Sequence, residues 1–86
     1  MANVIQAIRV LPFPGRLLTQ PPLMRGDDVR IWQVQMLKRG WRIKVDGAYG
    51  PRSENVCREF QREKHLTVDG IVGPHTWKAS FEAPIT

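Results

Sequence analysis

Apolar residues fall along this chain in three helix-spaced blocks, each fenced by glycine or proline. In the first, Val29, Trp32, Met36 and Leu37 recur at helical spacing after the acidic start Gly26-Asp27-Asp28 and before Gly40. The spacing predicts a helix over about Asp28 to Arg39, with an N-cap and acidic first turn at one end and a glycine stop at the other. A second block opens at Gly50-Pro51, proline being suited to the first helical position, and Val56, Cys57 and Phe60 form its stripe to about Lys64. The third opens in the same way at Gly73-Pro74, carries Trp77 and Phe81 one turn apart, and is ended by Pro84. No segment reads as a long strand.

Upstream of residue 25 the pattern changes. Pro12, Pro14, Pro21 and Pro22 with Gly15 interrupt any helix and favour extended or turn conformations. The segment still holds Ile5, Ile8, Val10, Leu11, Phe13, Leu17 and Leu18, too much apolar surface for a solvated linker. It is read as a Pro-rich arm over residues 1–24 that packs along a body formed by residues 25–86. The fold class expected is all-α: a compact three-helix bundle with two repeated loops and an extended N-terminal arm.

Those loops are one motif written twice. Asp46, Gly47, Gly50, Pro51 and Ser53 reappear as Asp69, Gly70, Gly73, Pro74 and Thr76, and an aromatic-glutamine pair precedes each set, Trp32-Gln33 and Phe60-Gln61. Asp-Gly suits a tight turn because the carboxylate accepts from nearby amides while glycine takes a positive φ at no steric cost. These residues build the loops before they do anything else. Gln33 and Gln61 lie near apolar stripes, where an amide must find partners, and the adjacent loop backbone is the natural one.

Trp32 and Trp77 lie on helical stripes and read as core. Trp41, after a helix-ending glycine, and Tyr49, inside a loop, are expected to keep a partly exposed face. Arg42, Lys44 and Arg52 flank the first loop. Arg52 stands in the first turn of a helix, a poor place for a cation, but a forked guanidinium beside free helix-start amides could hold a carboxylate. The candidate ligand-contacting residues are therefore Trp41, Arg42, Asp46, Tyr49, Arg52, Asp69 and Ile71.

Composition narrows the chemistry. Eighty-six residues make one domain, and 13 Lys and Arg against 8 Asp and Glu give a formal charge of +5, dispersed along the chain, which favours an anionic partner without choosing among wall polymer, nucleic acid and membrane surface. The single cysteine, Cys57, excludes a disulfide framework, and with only His65 and His75 beside it no structural zinc site follows. Calcium would need six to eight oxygens where each loop offers one carboxylate. No metal or cofactor is expected. Cys57 faces the core, the histidines lack partner acids at a motif spacing, and Ser53, Thr76 and Ser80 lack a nucleophile motif, so no catalytic residues are assigned. No window reaches the ~20 apolar residues of a membrane span, and residues 1–10 lack the pattern of a secretory signal.

The ordered set Gly26-Asp27-x-Val29, Trp32-Gln33, Met36, Gly40, Asp46-Gly47-x-Tyr49-Gly50, Val56, Phe60-Gln61, Leu66 and Asp69-Gly70-Ile71-Val72-Gly73-x-x-Thr76-Trp77 resembles the three-helix, type 1 peptidoglycan-binding domain found beside many wall hydrolases. Trp32 departs from the leucine usual there and Ser53 from threonine. His65 stands where glycine is common before Leu66, which is expected to alter how the second helix ends. The lead-in around Phe13-Pro14-Gly15-Arg16 looks like that of lysins from actinobacterial viruses.

The resemblance implies non-catalytic binding of peptidoglycan, through its stem peptide and adjoining glycan, by a monomer acting at the bacterial wall. It would hold an attached or partner hydrolase near its substrate, and without a signal it would be released by a phage lysis route or belong to a larger protein. Two rivals stand beside it. A small basic helical nucleic-acid binder is disfavoured because Arg58, Glu59, Arg62 and Glu63 alternate in sign on the second helix and the third offers only Lys78. A virion structural or assembly module would show a protein partner and no wall affinity.

Overall fold

The computed structural model describes residues 11–85. The expectations for Ile5, Ile8 and Val10 and for the absence of a signal in residues 1–10 lie outside that range. Three helices carry the fold: α1 over Asp27–Lys38, α2 over Pro51–Glu63 and α3 over Pro74–Glu82. Two strands of two residues each, β1 at Met24–Arg25 and β2 at Ala48–Tyr49, pair antiparallel with Met24 opposite Tyr49 and Arg25 opposite Ala48. The architecture is the three-helix bundle expected from the pattern, with this minor ladder added.

Each helix begins and ends where its punctuation dictates. Gly26, Gly50 and Gly73 are the N-cap residues, and Pro51 and Pro74 take the first helical positions of α2 and α3, where a missing N–H removes no helical bond. At the end of α1, Gly40 adopts φ 97°, the Trp41 N–H donates to the Met36 carbonyl at 3.0 Å, and the Gly40 N–H donates to Leu37. This is a Schellman closure. The end of α2 repeats it, with Leu66 N–H to Gln61 O at 2.8 Å and His65 N–H to Arg62 O. His65 takes the left-handed position at φ 59° itself. The helix therefore ends as it would with glycine, at some steric cost to the histidine, and the expected alteration does not occur.

Ten buried residues form the core, with Trp32, Phe60 and Met36 among the largest and Trp77 beside them. The two indoles are core, as their stripe positions imply, and both N–H groups are satisfied: Trp32 Nε1 donates to Ser80 Oγ at 3.0 Å, and Trp77 Nε1 to the Leu11 carbonyl at 2.8 Å. The exposed end of α3 is held from the side. Arg39 donates to the carbonyls of Ser80, Ala83 and Pro84 while its guanidinium lies 5.0 Å from the centre of the Phe60 ring. A basic residue from another helix thus satisfies carbonyls that α3 leaves open.

Residues 11–25 wrap this body. Leu18 is fully buried and exchanges two backbone bonds with Val72, at 3.1 and 2.9 Å, while Phe13 meets Trp77 edge to face at 6.2 Å. Arg16 adds a surface pair to Asp28 at 2.6 Å. Leu18 fills space at the centre of the core, so Leu18→Ala is expected to lower unfolding stability by about 2–5 kcal/mol. Urea denaturation measures it, and a loss below about 1 kcal/mol would show that the arm is an accessory to the body.

Candidate functional site

Both loops are built around a buried amide. Gln33 is 1% exposed, and its Oε1 accepts the N–H groups of Asp46 and Gly47 at 3.1 and 2.8 Å. Its Nε2 lies within bonding distance of Asp46 Oδ1, the Ala48 carbonyl and Ser53 Oγ, at 3.0 to 3.1 Å. Gln61 does the same in the second loop. Its Oε1 accepts Asp69 N–H and Gly70 N–H at 3.0 Å, and its Nε2 reaches Asp69 Oδ1, the Ile71 carbonyl and Thr76 Oγ1 at 2.8 to 3.1 Å. In each loop the aspartate closes the turn by accepting from the residue two places on, Ala48 or Ile71.

The glycines are required there. Gly47 and Gly70 have φ of 74° and 72°, and a Cβ on Gly70 would stand 2.8 Å from the Glu54 side chain. The residues after each turn run extended and pair with the arm: Ala48–Tyr49 with Met24–Arg25, Val72 with Leu18. Leu23 then lies against Gly50 and Leu17 against Gly73.

This construction leaves two matching hollows of about 350 Å³ each. The first is lined by Leu23, Arg25, Lys44, Asp46, Pro51 and Arg52; the second by Leu17, Thr67, Asp69, Ile71, Pro74 and His75. A smaller hollow of about 280 Å³ lies on the other side of Arg52, where Trp41, Arg42, Asn55 and Glu59 line it. A larger hollow, about 730 Å³, sits apart from the loops between α1 and the chain after α3, with Ile31, Phe81 and Ile85 on its walls.

Of the seven candidate residues, Trp41, Arg42, Asp46 and Arg52 lie around the first loop, and Asp69 and Ile71 line the hollow of the second. Arg52 is exposed and donates from Nη2 to the Arg42 carbonyl at 2.7 Å, its only side-chain hydrogen bond to the described residues. Trp41 is half-buried against the core. Tyr49 corrects the sequence reading. It has no exposed surface, its ring is 5.7 Å from that of Trp32, and its hydroxyl donates to the Gly70 carbonyl at 2.7 Å. Placement in a loop did not mean exposure, because β2 turns Ala48 outward and Tyr49 inward. Burial also holds its hydroxyl far above the usual phenol range. Tyr49 ties one loop to the other and offers a ligand no surface.

Sequence reasoning missed the lips of the hollows, Leu17, Leu23 and Arg25, because they come from the arm. The signal was faint: the apolar pairs Leu17-Leu18 and Leu23-Met24 each place one side chain inward and one outward along the arm. The Cys57 thiol is buried and pushed up to about 12 by desolvation, which makes it inert, and no three of His, Cys, Asp or Glu gather as metal ligands among the described residues.

A helical body with two amide-locked loops and shallow hollows of mixed polar and apolar lining has the form of a small binding module. The chain matches the peptidoglycan-binding domain family over residues 25–79, and it belongs to that family. It is 37% identical over 57 residues to the N-acetylmuramoyl-L-alanine amidase CwlM of Mycobacterium tuberculosis, covering 65% of this chain and 14% of that protein. It is 34% identical over 73 residues to the amidase CwlL of Bacillus licheniformis, covering 76% of this chain and 20% of that one.

Two solved structures share the fold. A peptidoglycan-binding protein of Clostridioides difficile in complex with glutamine hydroxamate has a TM-score of 0.64 and 28% identity, over 69% of this chain and 40% of that one. A fused zinc-dependent amidase, peptidase and peptidoglycan-binding protein of Clostridium acetobutylicum has a TM-score of 0.67 and 27% identity, over 72% and 30%. The chain thus spans a fifth or less of the two amidases it matches.

Two measurements check the loops. Gln61→Ala strips the acceptor from two loop amides and should cost about 2–5 kcal/mol, and Asp69→Ala about 1–2 kcal/mol, by urea denaturation. An unchanged midpoint for Gln61→Ala would remove the amide lock. Acid should also destabilise the fold through three depressed carboxyls. Arg16 holds Asp28 below its ordinary 3.8, the Ala48 N–H and then Gln33 do so for Asp46, and Gln20 and then Arg58 lower Glu54 from 4.5. A carboxyl depressed by folding stabilises fully above its unfolded value and loses that contribution as pH falls through its folded value. The melting temperature should therefore decline below about pH 4.5, and Asp28→Asn should flatten part of the decline. A flat profile down to about pH 2 would contradict it.

Proposed function

We propose that this chain binds bacterial peptidoglycan without cleaving it and keeps a linked or partner wall hydrolase near its substrate. The observation that carries the reading is Arg52, an exposed guanidinium fixed by one bond to the Arg42 carbonyl between two hollows, in a chain of this family. A carboxylate of the stem peptide fits the hollow of Arg25, Lys44 and Arg52, where two forks and a point charge converge. The adjoining glycan fits the other side, with the half-buried Trp41 presenting an apolar face to a sugar ring. Asp69 and Ile71 extend contact to the second loop. The matched solved protein that holds glutamine hydroxamate lends support to an amino-acid-like ligand.

Tethering alone accounts for a benefit to catalysis, since surface capture raises local enzyme concentration without chemistry in the module. The matched amidases, five or more times the length of the aligned segment, favour a hydrolase setting, and the lead-in around Phe13-Pro14-Gly15-Arg16 favours a phage lysin within it. We read the module as a monomer acting at the wall, and its +5 charge as an aid to approach. No helix among the described residues is long and apolar enough to cross a membrane.

Sedimentation with purified sacculi, with DNA and chitin as controls, tests the reading. The parent should co-sediment with sacculi and release no soluble wall fragments, and Arg52→Ala should lower the affinity about three- to tenfold with an unchanged melting curve. Equal retention of Arg52→Ala and parent removes the arginine contact, whereas salt-sensitive retention on DNA with none on sacculi overturns the function.

A further inference from the structure

The two hollows share a backbone plan and a volume, yet their charges are opposite. In the first, Arg25, Lys44 and Arg52 face one carboxylate, Asp46. In the second, Thr67 stands where the first has Lys44 and His75 where it has Arg52, and Asp69 is the one fully charged side chain on the lining. Leu17, Ile71 and Pro74 give its remaining wall an apolar character. The Asp69 carboxylate accepts its loop bonds through Oδ1, which leaves Oδ2 at an exposed position with no partner among the described residues. Of the neighbouring cations, Arg58, beside Gly70, is paired to Glu54 at 2.8 Å, and Lys78 lies on the lining of an adjoining hollow together with Glu82 rather than on this one.

We propose that the hollow of the second loop is a distinct subsite for a primary ammonium on a short alkyl chain, paired with the carboxylate subsite of the first loop. Apolar walls take the alkyl stem, as they do for the stem of a lysine, and Asp69 Oδ2 receives the ammonium. The cationic first hollow repels that same group, so a ligand with an amine at one point and a carboxylate at another is held in one orientation. Tyr49 O–H to Gly70 O fixes the two loops to each other, and hence the spacing the ligand must match. The assignment rests on the peptidoglycan reading above and specifies which chemical groups of the wall peptide are read where.

The test uses sacculi whose stem peptides carry free amines, in three forms: untreated, N-acetylated, and carboxyl-amidated. Parent protein should bind acetylated sacculi about three- to fivefold more weakly than untreated ones. Thr67→Lys puts the lysine of the first hollow into the second without touching the Gln61 network, and should abolish that difference. Asp69→Asn keeps an Oδ1 acceptor for Ile71 and Gln61 while removing the charge, and should do the same with little change in melting. Lys44→Gln should instead reduce the response to amidation and retain the response to acetylation. If acetylation leaves parent binding unchanged, or weakens the parent and Thr67→Lys alike, the ammonium subsite is wrong while the wall-binding reading stands. If folded parent fails to sediment with untreated sacculi, both fall together.

Discussion

A primary amide removed from water is costly unless its oxygen and both hydrogens find partners, and this fold depends on two such amides being fully used. Gln33 and Gln61 each accept two loop N–H groups and serve a carboxylate, a carbonyl and a hydroxyl from Nε2. Each glutamine belongs to a helix, while its partners belong to the following loop and the start of the next helix. The bonds therefore set how far one helix stands from the next. In a chain this small, with no disulfide and a core of ten residues, such local closure supplies rigidity that packing alone would supply poorly.

The consequences run outward from the locks. Once Asp46-Gly47 is held, Ala48–Tyr49 emerges extended and offers its edge to Met24–Arg25; once Asp69-Gly70 is held, Val72 does so for Leu18. The arm thus becomes the outer wall of two hollows, and Gly-Pro starts a helix at the base of each. Side chains that face the hollows are mounted on backbone with little freedom left. That favours recognition by preorganised surface groups, with little ordering left to do when a ligand arrives.

How much of this was legible depended on whether the determinant was local. Glycine and proline place the helix starts and stops within a residue, since α1 over Asp27–Lys38 is the expected segment moved by one position. The glutamine locks were also readable, because an amide on an apolar stripe beside a turn has few other partners. Tyr49 was not legible, because the alternation of a two-residue strand, and not membership of a loop, decides its exposure. The pairing of Leu18 with Val72 spans more than fifty residues of chain, and no local signal specifies such a partner. His65 shows a third case: the backbone demanded a left-handed residue, and closure of α2 was strong enough to impose it on a side chain that disfavours it.

The duplication also separates what builds the module from what it can recognise. Asp46 and Asp69, Gly47 and Gly70, Pro51 and Pro74 fill the same roles in both loops, each aspartate closing its lock through Oδ1 alone. The positions that differ, Lys44 against Thr67 and Arg52 against His75, lie on the hollows and take no part in either lock. Substitution there changes the field of a hollow without disturbing its shape, since charge on an exposed lip contributes little to stability. A repeated scaffold with unlike linings can bind two unlike groups of one ligand, whereas a repeat with identical linings could only bind the same group twice. The opposite charges of the two hollows are therefore the property of this chain that its architecture leaves open, and the one from which discrimination among wall polymers would arise.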